Sequence, residues 1–85
     1  MSSEVAKLYI NIRSRGKVFY ESYYDAITSI NEVGPFDILP YHSNFICLVQ
    51  DYIYLWQNEK KVVDMKITKG ILKVQNNRVL VFLDV

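Results

Sequence analysis

The side chains able to do covalent or metal chemistry are few: one histidine, His42, one cysteine, Cys47, and carboxylates set singly along the chain. General acid–base or nucleophilic catalysis needs a base within hydrogen-bond reach of its partner, and a metal needs three or four His, Cys, Asp or Glu ligands at short spacings. Neither pattern is present in the sequence. Asp25, Glu32, Asp37 and Asp64 meet only if the fold gathers them, and scattered carboxylates on a half-exposed sheet are as a rule solvated. Thr68-Lys69-Gly70 has the residue types of a phosphate loop in the wrong order, without the glycine-rich turn that opens a helix, so it reads as a strand entrance. These features describe a noncatalytic protein that needs no cofactor.

Other residues suit contact rather than reaction. Tyr52, Tyr54 and Trp56 alternate with Ile53 and Leu55, so a strand here has three aromatics on one face and two aliphatics on the other. Such a row either closes on a neighbouring strand or meets a partner, for which Tyr and Trp bury much area at low entropic cost. His42 follows Pro40-Tyr41 in a turn, where an imidazole either bonds the local backbone or makes a contact at a loop tip. Cys47 shares a strand face with Phe45 and Val49, which is the setting of a small buried side chain rather than a reactive thiol.

The elements that must position these residues are strands. Ala6, Leu8, Ile10 and Ile12 alternate with Lys7, Tyr9, Asn11 and Arg13. Ser14-Arg15-Gly16 supplies a turn, Lys17 to Glu21 a second strand, and Tyr24 to Ile30 a third. Asn31 to Pro35 reads as a loop, and Phe36 to Leu39 as a brief extended segment halted by Pro40. Phe45 to Val49, Tyr52 to Trp56 and Val62 to Ile67 read as successive strands separated by Gln50-Asp51 and by Gln57 to Lys60. Gly70 to Val74 and Val79 to Leu83 flank Asn76-Asn77, a two-residue hairpin, because Asn tolerates positive φ. No window keeps apolar residues at helical spacing. The pattern predicts an all-β antiparallel sandwich or small barrel of eight or nine short strands.

At 85 residues and 51% hydrophobic, the chain makes one domain over residues 1–85. Ten Lys and Arg against nine Asp and Glu leave a formal charge of +1, too little field to hold a nucleic-acid backbone or an anionic membrane. The apolar runs are far shorter than the roughly 20 residues of a spanning helix. The opening Met-Ser-Ser-Glu-Val-Ala-Lys lacks an apolar signal core, and a single Cys forms no intrachain disulfide, which suits a reducing compartment and a cytoplasmic default.

Gly34-Pro35-Phe36-Asp37-Ile38-Leu39-Pro40-Tyr41-His42 resembles the Gly-x-Phe-Gly-Ile/Val-Leu-Pro-Gly-His signature of the ATP synthase epsilon subunit. Lys17-Val18-Phe19-Tyr20 is similar to that family's early Val-Phe-Ser strand, and the stretch from Gly70 to Val79 to its late hairpin. The resemblance implies the N-terminal β-sandwich of that family, with about ten short strands. It also implies a noncatalytic rotor role in ATP synthesis: the domain packs on the gamma subunit, rests loops on the c-ring and couples ion-driven rotation to catalysis elsewhere. By the same resemblance His42, Cys47 and Arg13 lie towards gamma, with Tyr54 added to that interface, and Glu32, Gly34 and Pro35 form the c-ring contact. It implies a peripheral place on the cytoplasmic side of the ion-coupling membrane, of bacterial type with an organelle origin as the alternative, with no nucleic acid and with membrane contact only through the complex.

Departures from the signature are informative. Pro35 stands where the family carries an acidic residue, Asp37 and Tyr41 stand where it carries glycines, and the family's C-terminal helical hairpin is expected to be absent. If those glycines have positive φ in relatives, this backbone differs locally or carries strain. Two alternatives follow from the residues. One is an oligonucleotide-binding type of small barrel, in which Tyr52, Tyr54 and Trp56 stack bases. The other is an epsilon-like sandwich acting as an adaptor outside the motor.

Overall fold

The computed structural model describes residues 6–84. Seven strands follow in chain order: β1 (Leu8–Ser14), β2 (Lys17–Tyr24), β3 (Ala26–Asn31), β4 (Gly34–Ile38), β5 (Phe45–Gln57), β6 (Lys60–Gln75) and β7 (Arg78–Asp84). They bond side by side as one sheet in the order β2-β1-β7-β6-β5-β3-β4. All neighbours are antiparallel except β1 and β7, which run parallel from the pair Tyr9–Arg78 to the pair Arg13–Phe82.

The sheet doubles over on the β5–β6 hairpin, whose strands of 13 and 16 residues are too long to stay flat. Their register slips between Gln50 and Asp51, with Thr68 left over on β6, and Asp51 takes a left-handed φ of 71°. This is a bulge, which bends the strands and raises their local twist. On one side of the bend the hairpin is flanked by β7, β1 and β2, and on the other by β3 and β4. The inner faces meet in a single core: Leu8, Ile10 and Ile12 of β1 pack with Ile27, Ile38, Ile53 and Leu55, all fully buried. Burying each such side chain stabilises the fold by about 1.5–3 kcal/mol. The buried Ser29 hydroxyl donates to the Tyr52 carbonyl at 2.7 Å, where the β3–β5 register also slips.

The all-β sandwich expected from the sequence is the architecture found. It has seven strands rather than about ten short ones, because Gln50-Asp51 and Thr68-Lys69 face each other across one bulge inside two continuous strands, where the sequence suggested breaks. The sheet is mixed rather than purely antiparallel, because β1 inserts between β2 and β7. The expected third strand starts at Ala26, after a break at Asp25. The expected loop over 31–35 is instead a tight hairpin. Asn31 Oδ1 accepts from the Val33 and Gly34 N–H groups at 2.9 and 3.3 Å, and β4 begins at Gly34. Pro35 is tolerated there because β4 is an edge strand. Asn76-Asn77 forms the expected hairpin with both residues at positive φ, 52° and 62°.

Candidate functional site

The aromatic row lies on the outer face of the layer that contains β3 and β4, since Ile53 and Leu55 are the fully buried alternates. Tyr52 and Tyr54 stack on each other with centroids 4.5 Å apart, and Trp56 meets Tyr54 edge-on at 6.5 Å. Lys61 Nζ sits 4.0 Å from the Tyr54 ring centroid. Trp56 Nε1 donates to Thr28 Oγ1 at 2.8 Å, and that hydroxyl donates to Asp37 Oδ1 at 2.5 Å. The row therefore packs on itself and bonds to β3, with the Tyr54 ring between Tyr52 and Lys61.

The four residues expected towards gamma do not share a surface. Arg13 lies on the outer face of the other layer, paired across strands with Phe82 and Val18. Tyr54 lies on the aromatic face just described. Cys47 faces inward against the core, where burial pushes its thiol pKa up while a hydrogen bond from Asn31 acts the other way. His42 is in the loop between β4 and β5, its ring edge-on to Phe45 at 5.4 Å and its Nδ1 2.8 Å from the Ser43 carbonyl.

The three residues expected at the c-ring do come together. Glu32, Gly34 and Pro35 form the tip of the β3–β4 hairpin around Val33, which is 92% exposed. The tip presents a carboxylate beside a bare aliphatic side chain. A second loop carries the strain anticipated from the sequence: Tyr41, 82% exposed, has φ 68°, whereas Asp37 stays in ordinary extended backbone opposite Thr28. The neighbouring hairpin holds this loop. The Tyr41 N–H donates to Asn77 Oδ1 at 2.6 Å, and the Asn76 N–H donates to Asn44 Oδ1 at 3.3 Å.

A further surface is one that the sequence did not announce. On the outer face of the layer that holds β1 and β7, Leu48, Ile71, Phe82, Arg13 and Val18 are successive cross-strand neighbours on β5, β6, β7, β1 and β2. Beside that row stands another, Ile46, Lys73 and Leu80. Leu48 is 69% and Ile46 66% exposed. A groove of about 690 Å³ runs over Leu48, Ile71 and Phe82, with Arg15, Gln50 and Lys69 along its walls. The available signal was that Phe45 to Val49 and Val79 to Leu83 are apolar at every position. In a two-layer sandwich a strand apolar on both faces must turn one of them outward. No group of three or more His, Cys, Asp or Glu gathers among the described residues, and no helix there is long and apolar enough to cross a membrane.

No family model matches the sequence, and no curated protein does. Solved structures do match in fold. One is a chain of the Euglena gracilis mitochondrial ATP synthase, from its OSCP/F1/c-ring assembly in rotational state 1. It superposes with a TM-score of 0.83 at 14% identity, over 96% of this chain and 53% of that one. Another is a chain of the Tetrahymena thermophila mitochondrial ATP synthase central stalk and c-ring. Its TM-score is 0.76 at 16% identity, over 98% of this chain and 67% of that one. The chain thus spans about half the length of the Euglena chain it resembles. What is established is the fold: an all-β sandwich shared with chains of F-type ATP synthase stalk and c-ring assemblies. Both of those assemblies are mitochondrial, so the expected bacterial setting finds no support.

Proposed function

We propose that this chain is a noncatalytic stalk subunit of an F-type ATP synthase, an epsilon-like sandwich that joins a gamma-type subunit to the c-ring in an organelle-type membrane complex. The observation that carries this reading is the superposition of nearly the whole chain, 96% and 98% of it, on chains from two such assemblies. The role asks for stiffness under torque rather than for reactive groups. A fully buried aliphatic core within one continuous hydrogen-bonded sheet supports that demand. The Glu32–Pro35 tip is the c-ring contact in this reading. Arg13 and His42 are the gamma-side residues with exposed surroundings in this reading, whereas Cys47 packs against the core and Tyr54 lies on the aromatic face of the other layer. Ion transport and membrane association come through the complex.

The test is coexpression with the gamma subunit and c-ring of a mitochondrial-type enzyme, followed by size-exclusion chromatography. Coelution with gamma is expected, with Arg13→Glu weakening it and Glu32→Lys weakening retention of the c-ring. A chain that elutes alone in the presence of both partners overturns the proposal. The nucleic-acid alternative predicts quenching of Trp56 fluorescence by single-stranded DNA. The stacking of Tyr52 on Tyr54, the Lys61 ammonium over Tyr54 and a net charge of only +1 argue for no quenching.

A further inference from the structure

We infer that Tyr41 is a specificity-determining contact of this chain, an aromatic knob that a turn of fixed geometry presents to the gamma-type subunit, with Asn77 as the residue that positions it. The partner is taken from the stalk reading, on which this rests; the contact itself is new, because the epsilon signature has glycine at this place and so supplies no side chain to make it. Leu39-Pro40-Tyr41-His42 is a turn closed by the His42 N–H, which donates to the Leu39 carbonyl at 3.2 Å. Pro40 in second place and a φ of 68° at Tyr41 in third make it type II, the turn whose third residue favours Gly or Asn. A side chain with a Cβ is strained in that backbone, and glycine is not. Strain of this kind persists where the surroundings impose it, and it concentrates at sites of contact. Here the surroundings are explicit. Asn77 Oδ1 accepts from the Tyr41 N–H at 2.6 Å, while the Asn77 carbonyl accepts from the Tyr9 N–H at 2.9 Å, so one residue ties the turn to the start of β1.

The ring adds little to the core. Tyr41 is 82% and Leu39 57% exposed, and the two make an apolar apex among Ser43, Asn44, Asn76 and Asn77. The chemistry beside the ring selects the occupant. A cleft of about 370 Å³ is lined by Tyr41, His42, Asn44, Asn76 and Asn77, none of them Lys, Arg, Asp or Glu. Arg78, next along the chain, lies over the Tyr9 ring instead. A phosphate backbone or an anionic lipid surface therefore finds no Lys or Arg lining this cleft. A protein surface with an apolar recess for the ring and peptide carbonyls near the amides matches it. Tyrosine buries a large area at low entropic cost, and the Asn44 and Asn77 amides, whose oxygens already accept, keep N–H groups to offer those carbonyls.

The experiment is biolayer interferometry of the full chain on its immobilised cognate gamma-type subunit, with the urea midpoint of each free variant measured alongside. Tyr41→Gly and Tyr41→Asn keep the turn and delete the ring. Each should bind gamma about tenfold more weakly, chiefly through faster dissociation. The urea midpoint of Tyr41→Gly should stay at or above that of the parent protein, because the strain is gone. A side chain with only a structural role moves affinity and stability the same way. Tyr41→Phe keeps the ring and should retain most of the affinity. Asn77→Gly keeps the left-handed turn without its acceptor and should weaken binding by a smaller factor, and Asn77→Asp, which restores an acceptor oxygen, should recover it. The inference is overturned if Tyr41→Gly binds gamma as the parent does, if its affinity falls only together with its urea midpoint, or if Asn77→Gly binds like the parent. A parent chain that does not bind gamma overturns the stalk reading and this contact with it, whereas parent binding that ignores the ring overturns the contact alone.

Discussion

Replacing Gly70 with Ala tests whether β6 and β7 are in contact as closely as the structure places them. Gly70 pairs with Leu83 on β7 and with Val49 on β5, and it has no left-handed φ, so Ala meets no backbone penalty there. The obstacle is space. A Cβ at this position lies 2.8 Å from the Phe82 carbonyl oxygen, 3.1 Å from Leu83 Cδ2 and 3.4 Å from Leu83 Cα. An ordinary carbon–oxygen contact is about 3.3 Å or more, so the two backbones must separate by about half an ångström. The Leu83 methyl can rotate away, but the carbonyl belongs to the ladder. Overpacking of this kind costs about 1–3 kcal/mol. The stiffer unfolded chain of the Ala variant offsets about 0.4–1 kcal/mol. A net loss of about 1.5 kcal/mol lowers Tm by roughly 6–12 °C in a domain of this size. Far-ultraviolet circular dichroism during heating, with urea midpoints as a second measure, gives the value, and Gly70→Val should lose more. If Gly70→Ala melts with or above the parent protein, the strands have slack and the close-approach account is wrong.

Tyr41→Gly should stabilise the protein by about 0.5 kcal/mol in urea titrations. It releases about 1–2 kcal/mol of left-handed strain from an exposed residue, against about 0.4–1 kcal/mol of added unfolded-state entropy; a clear loss would mean that the Tyr41 ring holds the loop. The hydrogen bond from Lys7 at 2.7 Å, followed by that from the Asn58 N–H at 2.7 Å, holds the Asp25 carboxyl below its usual range. With the folded value lowered, the contribution is complete above about pH 4 and disappears as pH falls through the folded value. Asp25→Asn should therefore cost under about 1 kcal/mol near neutrality and nothing in strong acid; a constant difference across that range refutes the pairing. Burial raises the Cys47 thiol pKa, so its reaction with a thiol reagent at mildly alkaline pH should be slower in the folded protein than in urea, and equal rates would place Cys47 on the surface.

Local chemistry was readable from the residues. The β1 alternation of Leu8, Ile10 and Ile12, the Asn76-Asn77 turn and the aliphatic face of Ile53 and Leu55 each follow from period two or from tolerance of positive φ. What depends on distant partners was not. Gln50-Asp51 has the composition of a turn, and only pairing with β6 on both sides makes it a bulge. The dispersal of Arg13 and Tyr54 onto different faces follows from that bend, because β5 changes layers between Val49 and Tyr52. The outer row was hidden for a similar reason: runs apolar at every position resemble strands covered on both sides, and which face stays bare depends on the number of layers. The hairpin tip at Glu32 to Pro35 was legible as an exposed turn, since Asn, Gly and Pro act locally.

The place of β7 between β1 and β6 has a consequence for biogenesis. The β1–β2 hairpin is the earliest part of this fold to leave the ribosome, yet among the described residues its ladder to the rest of the sheet runs through β7 alone, from Tyr9–Arg78 to Arg13–Phe82. Until that strand emerges, Leu8, Ile10 and Ile12 have no completed core to enter, and closure must bring together residues almost a full domain length apart. Long-range closure of this kind is slow and leaves apolar strands open to wrong pairings. A nascent copy halted anywhere before β7 is therefore a substrate for chaperones rather than a shorter version of the finished sandwich.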